Sequence, residues 1–248
     1  MRALRILLIT AVILGGLFTL ADRLAVGYAE REVAAKIRSS QGLSEEPEVS
    51  INGFPFLTQV VGSELDDVSV SADGVTARAG GHAIQVTEVT AELNSVRLNG
   101  LSSAVADRAT GSARISYADL AKSAPKGASV SYAGAERAAK GQVKVSGPAV
   151  ELLESTGVDV PGFAEGLLKG RTITAYSTVS IVGGDTVRVR AADLPGLPVP
   201  GFDGMLRDAV DYDLKLDGMP STVKLDKALA DERGLRFSGA GTDVRLAG

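Results

Sequence analysis

The residues able to do chemistry are few and scattered. His82 is the single histidine. It lies in Ala79-Gly80-Gly81-His82, a turn between two apolar runs, and no Gly-x-Ser-x-Gly elbow exists to supply a nucleophile, so a Ser-His-Asp hydrolase has no parts to assemble. Zero cysteines exclude a thiol nucleophile, a Cys-ligated zinc or iron–sulfur centre, a disulfide framework and a lipidated N-terminal Cys. One histidine likewise excludes a multi-His metal site. Asp66 with Asp67 and Asp211 with Asp213 are the carboxylate pairs, the second on one face if its segment is extended. Neither has an EF-hand loop or a further acidic cluster nearby in sequence, and acidic residues at strand starts are ordinarily solvated ends. Gly239-Ala240-Gly241 begins like a dinucleotide fingerprint, but Val244 stands where the third glycine belongs, which points instead to a bulge or a tight crossing of strands. These residues predict no catalytic site, no metal and no cofactor.

Charge narrows the partners. With 26 basic and 30 acidic residues the net charge is -4, the opposite of the basic footprint that a phosphate backbone requires, so nucleic acid is not an expected partner. At 45% hydrophobic and 23% charged, with 29 Gly, the 248 residues suit one large folded domain or two small ones, neither disordered nor collagenous.

Those residues must be positioned by the elements around them. Arg2 and Arg5 precede an uncharged apolar run at 6–21, closed by Asp22 and Arg23, in the basic-then-apolar order that export machinery reads. Sixteen residues fall a little short of the ~20 that a spanning helix needs, and Ala3 and Leu4 nearly fill the gap across a snorkelling Arg5. Ala25 and Gly27 have the small size wanted before a cleavage point, so a cleaved signal and a retained anchor both stand. The expected division is 1–27 as export signal or anchor and 28–248 as the exported domain. From 22 to 40 the periodicity is helical, with Val26, Ala29, Val33 and Ile37 on one stripe and Gly42 ending it. After Pro47 short alternating runs broken by Gly, Asn and Asp predict an antiparallel sheet. A hairpin is expected at Ala72-Asp73-Gly74, a bulge near Thr87, and a hairpin at Gly183-Gly184-Asp185. Residues 148–169 resemble an insertion with a helix, 194–204 a Pro-rich connector, and Asp203 an N-cap for a helix over 204–210. The fold class is α+β, dominated by strands.

One local sequence is unusual. In Ile51-Asn52-Gly53-Phe54-Pro55-Phe56-Leu57-Thr58-Gln59, two of the six phenylalanines flank a proline. Pro55 biases Phe54 toward an extended conformation, which predicts that Phe54 and Phe56 point the same way from a stiff loop. Such a clip either plugs a core or lines the mouth of an apolar cavity. The small side chains at inward-looking strand positions, with six Phe, five Tyr and no Trp in the chain, suit an interior with room for a ligand.

The basic-apolar export segment, the Asp22-Arg23 junction, an Ala/Glu/Arg helix and then Gly53-Phe54-Pro55-Phe56-Leu57-Thr58-Gln59 together resemble the actinobacterial LmeA-like phospholipid-binding proteins. The resemblance continues through Leu65-Asp66-Asp67-Val68-Ser69-Val70, through 109–117 and through 234–244, in the family's order, and is weakest over 148–169. It implies a curled antiparallel sheet wrapped around a long N-terminal helix, similar to tubular lipid-binding folds, and a phospholipid held in an apolar groove outside the cytoplasmic membrane. No catalytic residues come with it, and in mycolate-bearing relatives the family is tied to lipomannan elongation. The expected function is therefore an exported, non-enzymatic phospholipid carrier or holder of the cell envelope, with Phe54, Phe56, Leu57 and Val60 in contact with lipid. The competing expectation is an interaction module that stabilises a membrane-bound envelope enzyme such as a glycosyltransferase.

Overall fold

A computed structural model describes residues 2–79, 82–100, 103–123, 127–154, 160, 162–193, 204, 207 and 211–246. The Pro-rich connector expected over 194–204 and the helix capped by Asp203 lie almost entirely outside these residues, as does the side chain of His82. The chain is α+β, 50% strand and 33% helix, with two open antiparallel sheets.

Helix α1 (Arg2–Gln41) is a single 40-residue helix. The expected apolar segment and the amphipathic segment after it are continuous, because no proline interrupts the i→i−4 ladder between them. Gly42 then stops the helix in a left-handed conformation (φ +64°), and the Leu43 N–H donates to the Arg38 carbonyl at 3.0 Å, the closing bond of a Schellman cap. The packed stripe differs from the expected one. Val26 is buried as expected, but its companions are Asp22 and Ala34, whereas Val33 is exposed. The stripe follows 22, 26, 30 and 34, so two carboxylates lie on the covered face, where hydropathy would never place them.

Along the chain follow β1 (Glu48–Asn52), α2 (Phe56–Gly62), β2 (Glu64–Ala79), β3 (His82–Asn99), β4 (Ser103–Ser116), α3 (Tyr117–Ser123), β5 (Ser129–Tyr132), α4 (Ala135–Ala138) and β6 (Gln142–Pro148). Then come α5 (Ala149–Glu154), α6 (Gly162–Leu168), β7 (Thr172–Val182), β8 (Thr186–Asp193), β9 (Tyr212–Lys215), β10 (Val223–Asp231) and β11 (Gly234–Leu246). One sheet has the order β1-β2-β3-β4-β11-β10 and the other β5-β6-β7-β8-β9. The hairpin expected at 72–74 is absent, since β2 runs straight through it and Gly74 (φ +64°) sits inside the strand. A left-handed glycine serves a bulge as well as a turn, and only the pairing partner chooses between them. In β3 burial moves from Leu93 to Val96 across Ser95, which takes a positive φ of 51°.

By compactness the chain divides into two units, one of Met1–Asp73, Thr90–Thr110 and Gly241–Gly248, the other of Gly74–Val89 and Gly111–Ala240. In the first unit α1 packs on β1 and α2. Strand β1 pairs with β2 in the register Glu48↔Ser71 to Asn52↔Asp67, and β1 is the sheet edge. Glu30 on α1 covers that edge, its Oε1 accepting the Ile51 N–H at 2.8 Å.

In the second unit β7 and β8 form the expected hairpin, turned by Gly183 and Gly184 at φ +68° and +84°. Val143, Val179, Val187, Val189, Leu235 and Phe237 form its main core. The segment read as an insertion builds a smaller core from Ala149, Leu152, Leu153, Leu168 and Ile173. At the start of β11, Gly234 (φ +148°) has no room for a side chain, since a Cβ would overlap the Ile115 carbonyl.

Candidate functional site

The four residues expected to contact lipid fall in one place, the Phe54–Val61 clip, and the surrounding residues explain its shape. Gly53 has φ +94°, and a Cβ there would meet Gln59 Nε2 and Asp66 Oδ2 within 3 Å. The Phe54-Pro55 peptide bond is cis. Thr58 Oγ1 donates to the Pro55 carbonyl at 2.8 Å, while Gln59 accepts the Asp66 N–H at 2.8 Å and reaches the Asn52 carbonyl at 3.4 Å. Each polar letter of the motif is therefore spent on holding the loop. Ser63, left-handed at φ 58°, ends α2 with its N–H on the Val60 carbonyl and its own carbonyl accepting from Leu98.

From β1 outward the apolar letters separate. Phe56 is 7% exposed and seats the clip in the core, whereas Phe54 is 54% exposed, Val60 is exposed, Leu57 is half-buried and Val61 is 86% exposed. The expectation that Phe54 and Phe56 point the same way fails because Phe56 starts a helix, so the two rings do not share the i, i+2 face of an extended segment. Helix α2 was invisible in sequence, being seven residues long behind a proline.

The decisive partners come from α1. Leu57 lies in the first turn of α2, where backbone N–H groups lack intrahelical acceptors and Pro55 offers no capping side chain. Asp22 supplies the cap from 35 residues away, its Oδ1 accepting the Leu57 N–H at 2.8 Å, and it is completely buried. Beside it the Arg23 guanidinium lies 5.3 Å from the centre of the Phe54 ring, within cation–π range. Asp22, Arg23, Glu30 and Val61 were missed as site residues. The available signal was the Asp-Arg pair closing the apolar run, which reads as a membrane flank until its partner is known.

Among the described residues of the second unit, the partly buried apolar side chains that pack on its main core include Ile115, Leu120, Val130, Val145, Leu214 and Leu225. On β7, Ser177 is fully buried in line with Ala175 and Val179, and its Oγ has no hydrogen-bond partner among the described residues.

Three of the four carboxylates read earlier for chemistry, Asp67, Asp211 and Asp213, are committed to structure. Asp67 accepts from Asn52 and Asn94, and Asp211 accepts the Ala191 N–H. Asp213 is held down to about 2 by hydrogen bonds from Arg188, with Arg190 adding to the effect. Buried Arg114 donates from Nη1 to both carboxylate oxygens of Asp231, at 2.8 and 2.7 Å, and from Nε to Glu88. The Tyr117 hydroxyl donates to the Asp231 carbonyl at 2.7 Å, and burial pushes it up to about 12. Among the described residues no group of three or more His, Asp or Glu side chains is placed to hold a metal. Gly239 crosses β10 closely, where a Cβ would meet the Lys224 carbonyl at 2.5 Å, as the reading of Gly239-Ala240-Gly241 expects.

Comparison with protein families matches residues 20–240 to the family described as LmeA-like phospholipid-binding. No curated protein and no solved structure matches the chain. The matched span covers most of the 248 residues and starts just before Asp22, and the chain belongs to this family.

Proposed function

Starting from membership of a phospholipid-binding family, we propose that this chain is an exported, non-enzymatic phospholipid-binding protein of the cell envelope, tethered by α1. Helix α1 is long and apolar enough to cross a membrane, and its apolar part is unburied by the rest of the chain. Arg2 and Arg5 at its start favour a cytoplasmic N-terminus, which directs everything after it away from the cytoplasm. The observation that carries the binding role is the second unit's core, where, among the described residues, eleven partly buried apolar side chains lie against six buried ones. Acyl chains laid against them remove that surface from water at ~0.8 kcal/mol per CH₂. Phe54, Leu57 and Val60 are the proposed lipid contacts of the clip, with Phe56 as its seat. A part in lipoglycan synthesis of the lipomannan type follows from the family resemblance.

Native mass spectrometry of the full chain, stripped of loosely bound lipid, tests this. Retained phospholipid of defined stoichiometry is the expected result. A lipid-free protein that instead co-purifies with a membrane-bound glycosyltransferase would overturn the carrier reading in favour of an interaction module.

A further inference from the structure

We propose that the outer face of α2 is a membrane-docking foot, seated in the headgroup region of the leaflet from which α1 emerges. The proposal rests on the reading of α1 as a bilayer span. The clip's height follows from chain geometry alone. The apolar run of α1 ends at Ala21, and the very next residue, Asp22, is bonded to the Leu57 N–H. Whatever level of the membrane Asp22 occupies, α2 occupies it too. At that level the side chains turned outward are Phe54, Val60 and Val61, all exposed, although a solvated seven-residue helix has no need of them. On the face of α1 turned away from the clip, Leu24 and Tyr28, four residues apart and within two turns of Asp22, are exposed as well. Tyr at such a height is characteristic of the aromatic belts at membrane–water boundaries. Arg23, stacked on Phe54, places a cation where lipid phosphates lie, with its ring partner on the acyl side. Apolar residues beside a polar cap, at the end of a span and continuous with it, fit a lipid surface as occupant.

The chain contains no tryptophan, so a single introduced one reports its own surroundings. Full-length Val61→Trp, Leu14→Trp and Ser40→Trp are reconstituted in phosphatidylcholine vesicles containing lipids brominated on the acyl chains. Ser40 is exposed and lies about 27 Å further along the same helix than Asp22. The expected result is that Val61→Trp loses most of its fluorescence in brominated vesicles, recovers it in detergent micelles, and is blue-shifted relative to Ser40→Trp, which stays unquenched. An unquenched, water-like Val61→Trp overturns the proposal. So does quenching that persists after detergent exchange, which would mean one tightly held lipid. Shielding from acrylamide without bromolipid quenching would put a second copy of the chain on the patch and overturn it as well. Leu14→Trp separates the two readings, since an unquenched Val61→Trp beside a quenched Leu14→Trp overturns the foot and keeps the span, whereas an unquenched Leu14→Trp refutes the span and the proposal with it.

Discussion

Asp22 joins α1 to the clip through one oxygen. Its side chain is 0% exposed, and the single hydrogen bond given to Oδ1 comes from the Leu57 amide, while Oδ2 has no partner among the described residues. Replacing Asp22 by Ala removes the cap of α2, at a cost of about 1 kcal/mol. Asp22→Asn retains an acceptor oxygen. Amide hydrogen exchange is expected to show Leu57 protected in the parent and in Asp22→Asn and unprotected in Asp22→Ala; equal protection in all three would show that the cap does not hold the clip. Tyr117 gives a pH signature. Burial raises its hydroxyl to about 12, against ~10 in an unfolded chain. The folded state therefore keeps a proton that the unfolded state has lost, so this contribution is complete below pH ~10 and disappears as pH rises toward 12. Absorbance titration is expected to show one of the five tyrosines ionising late, and Tyr117→Phe to remove that late step.

At the scale of elements α1 decides the most. A cut after Gly27 would discard Asp22, Arg23 and Val26, and with them the cap of α2, the cation–π contact and two of the helix's three buried side chains. Retention of α1 is therefore the expected outcome. Intact-mass measurement of the membrane fraction should find the N-terminal segment present, and a reporter active only in the cytoplasm, fused after Gly248, should be silent. A mature chain beginning at Tyr28 would refute the tether. The apolar run alone covers about 24 Å at 1.5 Å per residue, short of the ~30 Å hydrocarbon core. Ala3 and Leu4, in the same helix ahead of a snorkelling Arg5, nearly make up the difference and leave Asp22 at the headgroup level. The continuity of α1 was legible only in part, because apolar residues spaced three and four apart after Asp22 announce a helix without saying whether it joins the one before.

For the molecule as a whole, lipid is expected to act as part of the interior. A ligand that binds only the folded state at a hundred times its dissociation constant adds about 2.7 kcal/mol of stability. Delipidation of the full chain should therefore lower the melting temperature by several degrees, with recovery on adding phospholipid back; an unchanged transition would argue for a core complete without it. Composition and local pattern settled several matters unaided. The absence of cysteine, the lone His82, the alternating runs after Pro47 and the Gly-Phe-Pro-Phe clip are properties of residues or of neighbours, and each foretold an excluded chemistry, a strand-rich fold or a distinctive loop. Tertiary structure decided the rest. Gly74 lies inside a strand and not in a turn because β2 runs on past it to Ala79, and Phe54 and Phe56 parted because a cap from Asp22 lets a helix begin between them. Asp22 and Glu30 took the covered face of α1 because backbone N–H groups of Leu57 and Ile51 meet them there. A buried carboxylate is favourable only when a donor faces it, and donors that lie 35 and 21 residues away are brought opposite by folding alone.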